Sequence, residues 1–253
     1  MYLVAIGDLR GSIEDAIRPL ANDLGTTPYE LRLLLHAGLP AVVLAAVDET
    51  RARAAFDALG RHGHAPIACQ RSDVVPSANM TLLRDFRLTE DALVADAGAS
   101  DRLAYQDIAV LLRAMHRTTA VAVEEVKERK LRPVMAIATG GLVLSKTTKR
   151  EVTTRTENRE QVLYIFPRSS SAPWLLRERS ARYGGLGAEL RPTSLDNFAR
   201  TTERLRQRAP EAAYDERLMT SRPIRGVADG IEASDILAHL LAIHLRARIL
   251  RPG

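Results

Sequence analysis

The sequence predicts an α+β protein, in which an N-terminal β-α-α-β-α-β module precedes a β-rich domain closed by a helix. Short apolar runs and helical repeats alternate over residues 1–72, each ended by a turn signal. Several strand-like segments and then one amphipathic helical pattern fill residues 80–210. Polar, turn-rich stretches follow each of these parts. We therefore predict domains at 1–72 and 80–210, with a linker and a last helix at 211–253.

Each element of the N-terminal module has its own start and stop signals. The apolar runs at 2–6, 41–47 and 65–69 predict three strands. The predicted helix starts are capping residues, namely Ser12, Thr27 and Asp48. The predicted stops are glycines, namely Gly25, Gly38 and Gly63. We expect the apolar face of these helices, including Phe56, to be complete without the rest of the chain, so that this module folds alone.

The order and spacing of these elements resemble the C-terminal domain of the bacterial ribosomal stalk protein, whose fold the N-degron adaptor of the Clp protease shares. The matching marks are Leu24-Gly25, Glu30, Pro40, Leu59 and Gly63. The resemblance covers residues 1–71 and implies the fold and a docking role. Stalk proteins carry lysines where translation factors dock, whereas the corresponding surface here has Arg18 and Arg32.

The second domain reads as a series of strands with one closing helix. Hairpin signals surround residues 89–91, and residues 118–129 alternate as a strand does. A long polar strand is predicted to begin at 142–144 and to return through a second strand at 161–166. Residues 102–115 fit a strand or a short helix equally well. Thr193 or Ser194 caps a helix that Pro210 stops.

This plan resembles the pleckstrin-homology and GRAM-like superfold over residues 80–210. The similar pieces are FRLTEDALVAD, the pair QVLYIF and PWLLRER, and the helix SLDNFARTTERLRQRAP. As a whole, the chain is similar to uncharacterised bacterial proteins of this length. The resemblance implies a fold but no activity.

The last helix is predicted to begin at Ser234 and to be apolar around most of its circumference. Such a helix packs on its own chain or on a partner. Because a polar linker at 219–230 precedes it, we predict that it lies outside both cores and contacts a protein partner or a second copy of the chain. Ile236, Leu240 and Ile243 are the predicted partner-binding residues.

The segment 127–159 is the strongest candidate for anion binding. Its candidate residues are Lys127, Arg129, Lys130, Lys146, Lys149, Arg150 and Arg155. Both alternating faces of residues 145–160 are polar, which predicts an exposed ribbon that could lie on phosphates of lipid or nucleic acid. Lysine and arginine also block the aggregation of edge strands, so a merely solvated strand is the alternative. The segment has no aromatic residue for stacking on single-stranded bases.

Composition gives a net charge of +5 and a pI near 9.6, which permits contact with nucleic acid or an anionic membrane surface. Arginine is abundant along the chain and lysine is rare, as a GC-rich genome produces, and this compositional explanation is favoured. The single cysteine, Cys69, cannot form an intramolecular disulfide. There is no leader-like N-terminus and no apolar stretch long enough to span a membrane, so we expect a cytoplasmic location.

No catalytic residue, cofactor or metal site is predicted. The stretch at 138–147 lacks the glycine that a phosphate loop needs directly before Lys146, and Gly140-Gly141 fits a turn instead. His62, His64 and Cys69 lack the further ligands that complete a tetrahedral site.

The leading hypothesis from the sequence is a non-enzymatic binding or adaptor protein with an unknown protein partner. One alternative is an enzyme with an inter-domain site, in which His116 or the basic residues of 127–159 act on an anionic substrate. Another alternative is a basic protein that binds nucleic acid or an anionic membrane surface.

Overall fold

The computed structural model describes residues 1–95, 101–131, 145–220 and 231–250, without the side chains of 117–158 and 250. It confirms the predicted α+β class, with helices and three sheets among the described residues. The chain divides into two compact units, which are Met1–His116 with Glu160–Gly253, and Arg117–Arg159. This division differs from the predicted boundaries, because the N-terminal module and most of the β-rich domain share one unit. The turn expected at Gly140-Gly141 lies outside the described residues, as does most of the linker expected at 219–230.

The N-terminal module has the predicted element order. Its elements are β1 (Tyr2–Asp8), α1 (Ile13–Leu24), α2 (Pro28–His36), β2 (Ala41–Ala46), α3 (Glu49–Arg61) and β3 (Ala65–Gln70). The strands form an antiparallel sheet in the order β2-β1-β3. The three predicted N-caps are confirmed, because the side chains of Ser12, Thr27 and Asp48 accept backbone N–H groups of the first turns. Gly25 ends α1 at φ 64°, a left-handed conformation that favours glycine.

The described residues after β3 form two further sheets and two α-helices. The elements are β4 (Thr81–Leu82), β5 (Phe86–Leu88), β6 (Ala92–Ala95), β7 (Arg102–Ala104), β8 (Ile108–Leu131), β9 (Ser145–Pro167), β10 (Trp174–Arg177), α4 (Ser194–Arg208), β11 (Ala213–Asp215) and α5 (Ala233–Leu250). One sheet has the order β11-β8-β9-β10-β4, and the other has the order β5-β6-β7. The ambiguous segment 102–115 is extended, since only a short 3₁₀ turn separates β7 from β8. Of the two predicted candidates, Thr193 is the N-cap of α4, and Ser194 is its first helical residue.

The last helix, α5, lies in the interior and packs against two sheets. On one side, Ile236 and Leu240 join a cluster with Leu3 and Ile67 of the first sheet. On its other side, leucines and alanines of α5 pack on the large sheet, around residues such as Tyr164. The prediction that α5 lies outside both cores is therefore wrong. A helix that is apolar all round needs cover on more than one side, and this chain supplies it.

The position of α5 also changes the expectation for the N-terminal module. Helices α1 to α3 cover one face of its sheet. The opposite face is also apolar, with Leu3, Ala5, Val42 and Ile67, and it packs on Ile236 and Leu240. The expected completeness of the apolar face within 1–72 is therefore wrong. Phe56, which was expected in the core, is only partly buried.

Substitution of Leu240, with Ile243 on the same helix as the matched control, tests this packing. Leu240 is fully buried, whereas the Ile243 residue is 37% exposed. We expect Leu240→Ala to lower the free energy of unfolding by about 3 kcal/mol, because it leaves a cavity between helix and sheet. Ile243→Ala should cost less than about 1 kcal/mol. Urea unfolding followed by circular dichroism measures both, and equal losses would contradict the described burial.

Candidate functional site

The predicted anion-binding residues lie on two neighbouring strands. β8 carries Lys127, Arg129 and Lys130, and β9 carries the other predicted residues, which are Lys146, Lys149, Arg150 and Arg155. The two strands are adjacent in the large sheet. The predicted long polar strand is part of β9, but its predicted return through 161–166 is wrong, because β9 continues without a break from Ser145 to Pro167. The side chains of these seven residues lie outside the described part of the chain. We call the stretch of β8 and β9 within Arg117–Arg159 the basic ribbon.

The unit Arg117–Arg159 carries the whole net charge of the protein. It contains ten basic and five acidic residues, which accounts for the net charge of +5. The rest of the chain contains 26 basic and 26 acidic residues, so that it is formally neutral. All four lysines of the chain lie in this unit as well. Arginine does occur everywhere, but genome composition does not explain why lysine and net charge are confined to one unit.

The predicted partner-binding residues of α5 have two different environments. Ile236 and Leu240 are fully buried against the first sheet of the same chain. Ile243 is the one of the three that reaches the surface. The chain itself therefore covers the first two positions, and they offer no surface to a partner in this fold.

A buried carboxylate, Asp235, anchors the first turn of α5. It accepts hydrogen bonds from the hydroxyl of Tyr164 at 2.8 Å, from the hydroxyl of Ser77 at 2.5 Å and from the backbone N–H of Ser77 at 2.8 Å. Asp235 is 1% exposed, and its position at a helix N-terminus suits its negative charge. Burial, reinforced by the Asp235 charge, raises the pKa of Tyr164 well above its usual value. These hydrogen bonds attach Ser77, which lies in the segment 72–80 between the two predicted domains, to α5.

His239, one helical turn after Asp235, makes a second hydrogen bond between α5 and the segment 72–80. Its Nε2 lies 3.1 Å from the backbone nitrogen of Val75, and its Nδ1 lies 2.9 Å from the carbonyl oxygen of Asp235. The sequence suggests an Asp235–His239 pair at i,i+4, but the contact uses the backbone carbonyl instead of the carboxylate. The sequence spacing gives no signal for Val75, which is 164 residues away.

A third polar group joins the end of β1 to α5 and to the 3₁₀ turn Arg217–Met219. Asp8 lies 2.8 Å from Nε2 of His244 and 3.0 Å from Nη1 of Arg217. These partners hold the pKa of Asp8 below its ordinary value despite partial burial, which acts in the opposite direction. A Cβ atom at Gly7 would come within 2.7 Å of the His244 ring, so glycine permits this approach. Asp8 therefore joins these three elements through a polar contact with His244 and an ion pair with Arg217.

The other titratable residues considered from the sequence either contact a polar partner or are at least partly buried. His62 lies 3.0 Å from Asp23, and Nδ1 of His64 accepts the backbone N–H of Arg10. Burial raises the pKa of the Cys69 thiol to about 11, which keeps it protonated and weakly nucleophilic. His116 is 3% exposed, and neither ring nitrogen has a hydrogen-bond partner among the described residues. This ring is therefore shielded from solvent.

Two of the clefts in the described part of the chain are partly open to solvent. One of about 320 Å³ lies between α3 and the outer strand β3. Its lining residues are Tyr2, Glu49, Ala52, Arg53, Phe56, Ala68, Cys69 and Gln70. Within the described residues, no three His, Cys, Asp or Glu side chains are grouped to hold a metal ion.

Two further results concern membrane-spanning helices and similarity to known proteins. No helix among the described residues has the length and apolar character needed to cross a membrane. No protein family, no curated protein and no solved structure matches the chain. The resemblances to the stalk-protein domain and to the pleckstrin-homology superfold therefore stay predictions.

Proposed function

We propose that this is a non-enzymatic binding protein whose basic ribbon contacts the phosphates of duplex nucleic acid. The observation that carries the proposal is the segregation of charge, because the unit Arg117–Arg159 holds the net charge of +5 and every lysine. Lysine and arginine bind nucleic acid by displacing counterions from the phosphate backbone, which is independent of base sequence. A neutral body with one basic unit directs such binding to that unit.

The form of the ribbon favours a duplex over other polyanions. Two adjacent β-strands are about 5 Å apart, and a two-stranded β-ribbon fits the major groove of B-DNA. Arg117–Arg159 contains no Phe, Tyr or Trp. Single-strand binders stack bases on such residues, and proteins at membrane interfaces anchor through them. Among the anionic partners that the sequence leaves open, we therefore propose duplex nucleic acid.

Replacing the four lysines together tests the proposal. We expect Lys127→Ser, Lys130→Ser, Lys146→Ser and Lys149→Ser in one chain to weaken binding to a duplex by at least about 10-fold at about 0.1 M salt. The slope of log affinity against log salt should fall by about 0.9 for each lysine that contacts a phosphate. Fluorescence anisotropy of a labelled duplex, measured over a salt series, gives both quantities.

The matched control removes the same charge elsewhere. Four exposed arginines of the larger unit, Arg18, Arg51, Arg179 and Arg191, are changed together to Ser. This variant should keep most of the affinity, because its ribbon is intact. Equal weakening in both variants would mean that overall charge governs binding, and the ribbon proposal would be wrong. Sedimentation with anionic vesicles but no duplex binding would favour a membrane surface.

A further inference from the structure

His239 must be electrically neutral in this fold. The backbone N–H of Val75 donates to its Nε2, which therefore carries a lone pair and no proton. Its Nδ1 lies 2.9 Å from the carbonyl oxygen of Asp235, so the ring proton sits on Nδ1 and is donated there. If Nε2 were also protonated, its N–H would face the N–H of Val75, and the hydrogen bond between them would be lost.

We propose that His239 is a pH-sensitive latch, which holds the segment 71–75 on α5 when neutral and releases it when protonated. The segment has an apolar anchor, because Val74 is buried in one cluster with Ile236 and Leu240. Opening the Val75 contact therefore withdraws an apolar side chain from α5 as well. Ser77 remains bonded to Asp235, and this bond limits the opening to the residues before it.

The surroundings of His239 favour the neutral ring. Burial is the largest influence and lowers the pKa of His239 below its ordinary 6.5. Asp235 acts in the opposite direction through its carbonyl and its charge, and Arg246 adds to the lowering. From β9, the Phe166 ring meets the imidazole edge-on, and the hydroxyl of Tyr164 is engaged with Asp235. The charged groups at the end of β1 and in the turn Arg217–Met219, Asp8 and Arg217, lie with His244 instead.

The sign of the pH effect follows from this lowering. A histidine whose pKa is lower in the folded state binds its proton more readily when unfolded. Its contribution to stability is complete above about pH 6.5 and is lost as the pH falls towards the folded pKa. Acid therefore loosens the contact between α5 and Val75.

Amide hydrogen exchange on the complete chain tests the latch. The exchange rate of the Val75 amide, corrected for its intrinsic pH dependence, should rise at least about 10-fold between about pH 7.5 and about pH 5. In His239→Gln, a side-chain oxygen can accept the Val75 N–H at either pH, so the corrected rate should no longer depend on pH. The control His244→Gln, on the same helix, should keep the wild-type pH dependence at Val75.

A second measurement needs no variant. The His239 ring and the Val75 amide should titrate with one midpoint in NMR spectra of the wild-type chain. A corrected Val75 exchange rate that is unchanged between the two pH values would overturn the latch. Retention of the pH dependence in a folded His239→Gln chain would do so as well, and so would separate midpoints for His239 and Val75. None of these outcomes depends on nucleic-acid binding.

Discussion

Truncation after Thr220, which removes α5, is expected to abolish cooperative folding of the larger unit. The helix buries five large aliphatic side chains, which are Ile236, Leu237, Leu240, Leu241 and Leu245. Burial of each contributes roughly 2 kcal/mol, so that their sum is comparable with the whole stability of a typical domain, about 5–15 kcal/mol. Without α5, the inner face of the first sheet and one face of the large sheet are both exposed to water.

Thermal melting and light scattering measure this effect on purified protein. The truncated chain should show no cooperative transition and should aggregate, since two apolar sheet faces are uncovered. A control truncation after Leu250 keeps α5 and should melt like the intact chain. If the chain ending at Thr220 melted at the wild-type temperature and changed only its oligomeric mass, the interior position of α5 would be refuted.

The sequence predicts the N-terminal module well because its signals are local. A capping side chain and its N–H partner are two or three residues apart, and a helix-ending glycine acts at its own position. Such contacts can be inferred without knowledge of the tertiary fold. Phe56 shows the limit of this approach, since helical periodicity places it inward while the neighbouring elements leave it partly exposed.

The position of α5 could not be predicted in the same way. Its apolar residues predict burial, but they do not specify which surface buries them. The partners lie far away in sequence, as with Leu240 against Leu3 and Leu237 on the large sheet. The apolar inner face of the first sheet was itself the available signal. Alternate residues of β1 and β3, such as Leu3 and Ile67, point away from α1 to α3 and need another layer.

Some features of the candidate functional residues could be predicted from the sequence, and others could not. The basic segment is visible in the sequence, but its share of the net charge becomes clear only when the structure gives the bounds of the unit Arg117–Arg159. The bonds around Asp235 join residues 71 to 158 positions apart. Sequence spacing suggests only the i,i+4 relation between Asp235 and His239. The side chain of Ser77, in a segment that reads as a linker, has no periodic signal at all.

Asp235→Ala is expected to lower the free energy of unfolding by about 4 kcal/mol. The substitution removes three hydrogen bonds to a buried carboxylate and leaves the Tyr164 hydroxyl without its acceptor in the interior. It also frees both donors of Ser77, so the connection at 71–80 loses one of its contacts with α5. Asp235→Asn keeps an acceptor oxygen and should lose less, about half as much.

The matched control for this carboxylate is Asp196, which also lies in the first turn of a helix. Asp196 is exposed on α4 and accepts a hydrogen bond from Thr193. Because water replaces that bond, Asp196→Ala should cost about 1 kcal/mol or less. Urea unfolding of the three variants at neutral pH separates the contributions. A loss at Asp235 no greater than that at Asp196 would mean that the helix dipole alone accounts for both residues. A greater loss, recovered in part by Asp235→Asn, would assign the difference to the buried bonds with Ser77 and Tyr164.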